Sequence, residues 1–136
     1  MWRYEYGELA NGALFFAEDA FGNQFCLHHE RVCSFDAETG ELNELGVNLE
    51  TWARSLLSDY AFLTGHPLIH QWQVKNGALR AGSRLIPKIP FVLGGEYSLQ
   101  NLYPLEATRG MKSRGNLARQ LKDLPDGARI EFRIVD

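Results

Sequence analysis

The chain has 136 residues, 45% hydrophobic and 23% charged, with a formal net charge of -3. That balance fits one folded domain spanning residues 1–136 and excludes a disordered chain, while the mild acidity excludes the bulk attraction for nucleic acid or anionic membrane that a basic chain has. No apolar run approaches the roughly 20 residues needed to span a bilayer, and "MWRYEYGELANG" is no secretory signal, so a cytoplasmic location is expected.

In "WRYEYGEL", Trp2, Tyr4 and Tyr6 alternate with polar residues, and period two predicts a half-buried strand. Asn11-Gly12 then reads as a type I′ hairpin turn. "ALFFAED", "NQFCLH" and "RVCSFD" follow as strands, with turns at Gly22-Asn23 and in "DAETGE", where Gly40 suits a left-handed position. The N-terminal third is thus an antiparallel meander. The period changes in "NLETWARSLLSDYAFLTGH": Leu49, Trp52, Ala53, Leu56, Leu57 and Tyr60 share one face of a helix over Asn48 to Thr64. Asn48 is its N-cap and Gly65 its stop. Pro67 opens a second helix, "PLIHQWQV".

The Gly- and Pro-punctuated stretch that follows predicts one strand near Phe91 to Leu93. Leu117, Leu121 and Leu124 predict a helix from Asn116 to Leu124, with Gly110 and Gly115 arguing against an earlier start. "ARIEFRIV", Ala128 to Val135, alternates as a last strand in the same sheet as the meander. The expected fold class is α+β, an antiparallel meander sheet packed by helices.

Little of the reactive-looking chemistry has the spacing that catalysis needs. Asp36, Glu38 and Gly40 suggest a calcium loop, but the twelfth position from Asp36 is Val47 rather than the bidentate Glu, which leaves a solvated turn. Asp19 reads as support for the turn ending at Gly22. His66 and His70 stand four apart without HExxH or further ligands, so no metal is assigned. Cys26 and Cys33 fall opposite each other if a hairpin turns at His29-Glu30. They are either a redox switch or two buried small thiols, and a reducing cytosol favours the thiols. "VLGGEY" lacks the spacing of a phosphate loop. Arg109, Lys112, Arg114, Arg119 and Lys122 form a basic segment that reads as a solvated helix face or a contact for an acidic partner.

In order along the chain, "FFAEDAFGNQFCL", "VCSFDAETGE", "LETWARSLL" and "LIPKIPFVLGGEYSLQNLYPLEA" followed by "LPDG" resemble the SUKH superfamily, the Smi/Knr-like domains, over Leu14 to Val135. Many members carry a longer helical segment before the "FGN" hairpin, which here arrives almost at once. The resemblance implies helices packed on an antiparallel sheet, no catalytic residues and no cofactor. It also implies action through protein contacts, and bacterial relatives are often immunity proteins that neutralise a toxin from competing cells.

The expectation is therefore a non-catalytic module binding a protein toxin or another protein, with no nucleic acid or membrane partner. Aromatic and Arg side chains are the usual anchors of such interfaces. The exposed members of Tyr4, Tyr6, Phe21, Trp72, Tyr97 and Tyr103, with Arg109, Lys112, Arg114 and Arg119, are the candidates. The alternatives are a ligand-binding or enzymatic pocket near the Gly94-Gly95 turn, using Asp19 or a histidine, and a structural or regulatory homo-oligomer marked by an exposed apolar patch.

Overall fold

The computed structural model describes residues 1–58 and 66–131, with the main chain alone at residue 66. The chain opens with a helical turn, α1 (Arg3–Tyr6), and a 3₁₀ turn over Gly7–Ala10, where a strand is expected from period two. Over five residues an i, i+2 alternation also contains an i, i+4 pair. Trp2 and Tyr6 form that pair, their rings edge to face at 5.6 Å, while Tyr4 points to solvent. The Asn11-Gly12 turn is correspondingly not type I′. Asn11 has φ -66° and ψ 138°, and Gly12 has φ 72°, the geometry of a type II turn.

The meander follows as expected: β1 (Leu14–Glu18), β2 (Gln24–His28), β3 (Arg31–Phe35) and a further strand, β4 (Leu42–Gly46), in the order β1-β2-β3-β4, all antiparallel. Side chains alternate across this sheet. Phe15, Cys26, Cys33 and Phe35 join Tyr6, Ala10, Met111 and Ala118 in the main core. Phe25 takes the other face, where Trp52 packs against it and against Phe16, with ring centroids 5.4 and 5.2 Å apart.

Trp52 belongs to α2 (Leu49–Ser58), whose cap is as the sequence predicts: Asn48 Oδ1 accepts from Thr51 N at 2.9 Å. The expected face is only partly used, since Leu49 and Leu57 are exposed. The rest of the helix expected to Thr64, with Tyr60 and Gly65, lies outside the described residues. Helix α3 (His66–Asn76) begins one residue before the predicted Pro67.

The C-terminal half departs most from the sequence reading. The expected strand at Phe91–Leu93 is a 3₁₀ turn. The strand is instead β5 (Ser83–Pro87), which pairs with β6 (Leu102–Glu106) in a separate two-stranded sheet. A second cluster of Phe21, Leu68, Leu85 and Leu102 packs between this sheet and α3. The last described helix, α4 (Ala107–Lys122), starts nine residues before the predicted Asn116. Its glycines are sites of close approach: a β-carbon at Gly115 would lie 2.7 Å from Glu5 Cβ, and one at Gly110 would lie 3.0 Å from Ile86 Cδ1. The propensity cost of Gly is outweighed by this packing of α4 on α1 and β5. Ala128–Glu131 form no strand, and residues 132–136 lie outside the described residues. No described helix is long and apolar enough to cross a membrane.

Cys26 and Cys33 are paired across β2 and β3, and both are buried free thiols. Burial, with the neighbouring Cys33 second, pushes the Cys26 thiol up to about 11. Burial, with Glu44 second, raises Cys33 as well. Little thiolate is therefore available to react near neutral pH. Protein purified without reductant should titrate both thiols once unfolded and resist alkylation while folded. Loss of both thiols to a disulfide in that sample would refute the assignment.

Candidate functional site

The most concentrated polar chemistry lies where the two sheets meet, and it is built from turns. Asp19 closes the β1–β2 connection. Its Oδ1 accepts from Phe21 N and Asn23 N, both at 2.9 Å, and its Oδ2 accepts from Asn23 Nδ2 at 3.1 Å. Asn23 in turn accepts from Ala37 N at 3.0 Å, joining this turn to the β3–β4 connection. There Asp36 Oδ1 accepts from Glu38 N and Thr39 N, and the chain reverses at Gly40 with φ 74°.

Glu38 is not the solvated turn acid expected from sequence. It is buried, and its two oxygens accept from Phe91 N at 3.0 Å and Val92 N at 2.8 Å. One carboxylate thus ties the meander to the turn that leads into Gly94-Gly95. That turn is further held by Asn101, which binds Ile89 N, Ile89 O and Glu96 O. Gly94 supplies a left-handed residue, and a β-carbon at Gly95 would strike Ile89 O.

Arg114 completes the centre and corrects the reading of the basic segment. It is 5% exposed rather than solvated. Its Nη1 donates to Phe21 O at 2.6 Å and its Nε to Gly110 O at 3.2 Å. No carboxylate is within ion-pair distance of it among the described residues. Gly22 makes room for it, since a β-carbon there would lie 2.5 Å from Nη2. Burial lowers the Arg114 pKa, opposed by the nearby Tyr6, Glu38, Asp19 and Asp36. Burial also raises Asp19 and Glu38 above the ordinary carboxylate range, against their hydrogen bonds and the field of Arg114.

Between these groups lies an open concavity of about 280 Å³. Its wall is mostly polar, from Asn23, Asp36, Glu38, Thr39, Glu41 and Arg114, with Phe21, Phe91 and Val92 as the apolar part.

The other sequence candidates scatter. Tyr6 and Phe21 are buried in the two cores and are corrected from surface anchors to packing residues. Trp72 and Tyr103 are half-buried, and Trp72 packs on the second core. Tyr4 and Tyr97 are exposed, and Tyr97 leans on Phe21 and Phe91 at 5.5 Å each. Arg109 and Lys112 face solvent, while Arg119 and Lys122 reach Glu5 and Glu8 of the N-terminal turns, each at 3.4 Å. The side chain of His66 lies outside the described residues, and no cluster of three potential metal ligands occurs among those described. Sequence reasoning missed Glu38 and Asn101, whose partners Phe91, Val92 and Ile89 are more than ten residues away. Arg114 had a readable signal: it shares a helix face with Gly110, Met111, Gly115 and Ala118, the small and apolar stripe of α4.

No protein-family model and no curated protein matches the chain. Among solved structures it is similar to that of Atu4351 from Agrobacterium tumefaciens, with a TM-score of 0.57 and 14% identity over 85% of this chain. The chain spans 62% of the length of that protein. At that identity the likeness is one of fold.

Proposed function

We propose that this domain is a non-catalytic protein-binding module, most concretely an immunity protein that neutralises a toxin by direct binding. The observation that carries the reading is how the polar centre spends its hydrogen bonds. Asp19, Asp36 and Glu38 accept from main-chain amides, and Arg114 donates to main-chain carbonyls. Such groups fasten turns to one another. A general base or nucleophile instead needs a partner positioned for proton transfer. The SUKH-like stretches from Leu14 to Val135 supply the specific form of the reading.

One observation favours a second reading, a small-ligand site: the concavity beside the Gly94-Gly95 approach. Its volume lies just below the usual range of about 300–1,000 Å³, and its wall is more polar than such pockets ordinarily are. Co-expression decides between the two. The chain should protect cells from a toxin encoded beside its gene and co-purify with that toxin. Asp19 does not line the concavity, so the test uses a carboxylate of its wall: failure to protect, together with hydrolysis of a small substrate that Glu41→Gln abolishes, would replace the binding reading with the pocket.

A further inference from the structure

Positive φ falls on glycine at eight described positions, Gly7, Gly12, Gly22, Gly40, Gly77, Gly82, Gly94 and Gly127. The two non-glycine residues with positive φ among the described residues are adjacent: His29 at 48° and Glu30 at 64°. They form the two-residue β2–β3 turn between the paired His28 and Arg31, and positive φ at both central positions makes it type I′. Asn-Gly would satisfy that geometry with little strain, and a bulky residue in this region costs stability. Both residues are exposed, so no core contact repays the strain.

What the turn displays is specific. The His28 and His29 rings meet edge to face at 4.1 Å, which holds His29 at the tip. Arg31 is already paired with Glu44 at 2.7 Å, whereas Glu30 has no ion pair among the described residues. The sheet register brings Leu14, opposite Leu27, and Gly46, opposite Val32, to the same end of the meander. Leu14 and Val47 there are 62% and 56% exposed. A projecting tip with one uncommitted carboxylate and apolar shoulders suits a protein surface better than a small molecule.

We infer that the His29–Glu30 turn is the contact point for a protein partner that offers a cationic side chain to Glu30 and an apolar patch to Leu14 and Val47. This rests on the protein-binding reading. The probe is the purified protein encoded beside the gene, titrated into the wild-type chain, H29N/E30G and Glu30→Gln. H29N/E30G keeps the turn with its preferred residues, so folding is not at risk. Its melting temperature should rise by roughly 3–8 °C, while affinity falls at least about tenfold. Glu30→Gln should melt like the wild type, bind more weakly and lose salt dependence. Binding by H29N/E30G within about twofold of wild type, or no gain in its melting temperature, would overturn the inference alone. A wild-type chain that binds nothing would overturn the protein-binding reading and this inference with it.

Discussion

Arg114→Met should destabilise the fold by about 3–5 kcal/mol, the usual cost of removing one partner from a buried charged network. That is a large share of the roughly 5–15 kcal/mol that holds an ordinary domain together. Methionine matches much of the aliphatic stem, so packing loss is small and the effect is electrostatic. Phe21 O loses its 2.6 Å donor and Gly110 O its 3.2 Å donor. Asp19, Asp36 and Glu38 lose the positive charge that faces them. Lysine should rescue little, because one ammonium does not reproduce the fixed fork of a guanidinium held between two carbonyls. Denaturant midpoints at neutral pH measure the loss.

The pH dependence separates this cause from simple repacking. Asp19 and Glu38 are raised in the folded protein, chiefly by burial. A carboxyl raised on folding contributes stability that is fully present below its unfolded value and lost as pH rises through its folded value. Removing Arg114 raises both groups further, because Arg114 is a lowering influence on each. The deficit of Arg114→Met should therefore narrow as pH falls from neutral toward the ordinary carboxylate range, because both carboxyls become neutral at a higher pH in the variant than in the wild type. A deficit that stays constant over that window would place the loss in packing rather than charge.

The parts of the fold legible in the sequence are those set by local chemistry. The β2–β3 register, with Cys26 opposite Cys33, follows from a two-residue turn, and the start of α2 follows from Asn48. What was not legible depends on partners distant in sequence. β5 and β6 pair Ser83–Pro87 with Leu102–Glu106 across a 3₁₀ turn that carries the more apolar residues, so local hydrophobicity pointed to Phe91–Leu93 instead. α4 runs through Gly110 and Gly115 because Ile86, Glu5 and Tyr6 crowd those positions, and propensity alone does not contain that fact. The candidate centre was hidden for the same reason. Glu38 and Arg114 look like surface charges until the chain brings Phe91, Val92 and Phe21 to them.

Tyr6→Ala should cost about 3–5 kcal/mol from the aromatic-to-alanine change alone, with a further contribution of about 1–3 kcal/mol from the carbonyl it leaves bare. Tyr6 is fully buried, and its ring meets those of Trp2 and Phe35 with centroids 5.6 and 4.9 Å apart. Its hydroxyl donates to Ala37 O at 2.5 Å, tying α1 to the β3–β4 turn that carries Asp36 and Glu38. Burial raises its pKa, which keeps the phenol a donor at neutral pH. Tyr6→Phe isolates the hydrogen bond and should lose only that second part. Tyr4→Ala is the control, expected within about 0.5 kcal/mol of wild type because Tyr4 is 80% exposed. A strand with period two would set Tyr4 and Tyr6 on one face and make both substitutions costly. The helical turn separates them, so comparable losses at the two positions would contradict α1, and a large loss at Tyr6 alone is the outcome that its packing against α4 requires. Gly115 sharpens the test, since a β-carbon there would lie 2.9 Å from Tyr6 Cδ2. Gly115→Ala should therefore cost less in the Tyr6→Ala background than in the wild type, and a double-mutant cycle on thermal or denaturant unfolding reads that coupling directly.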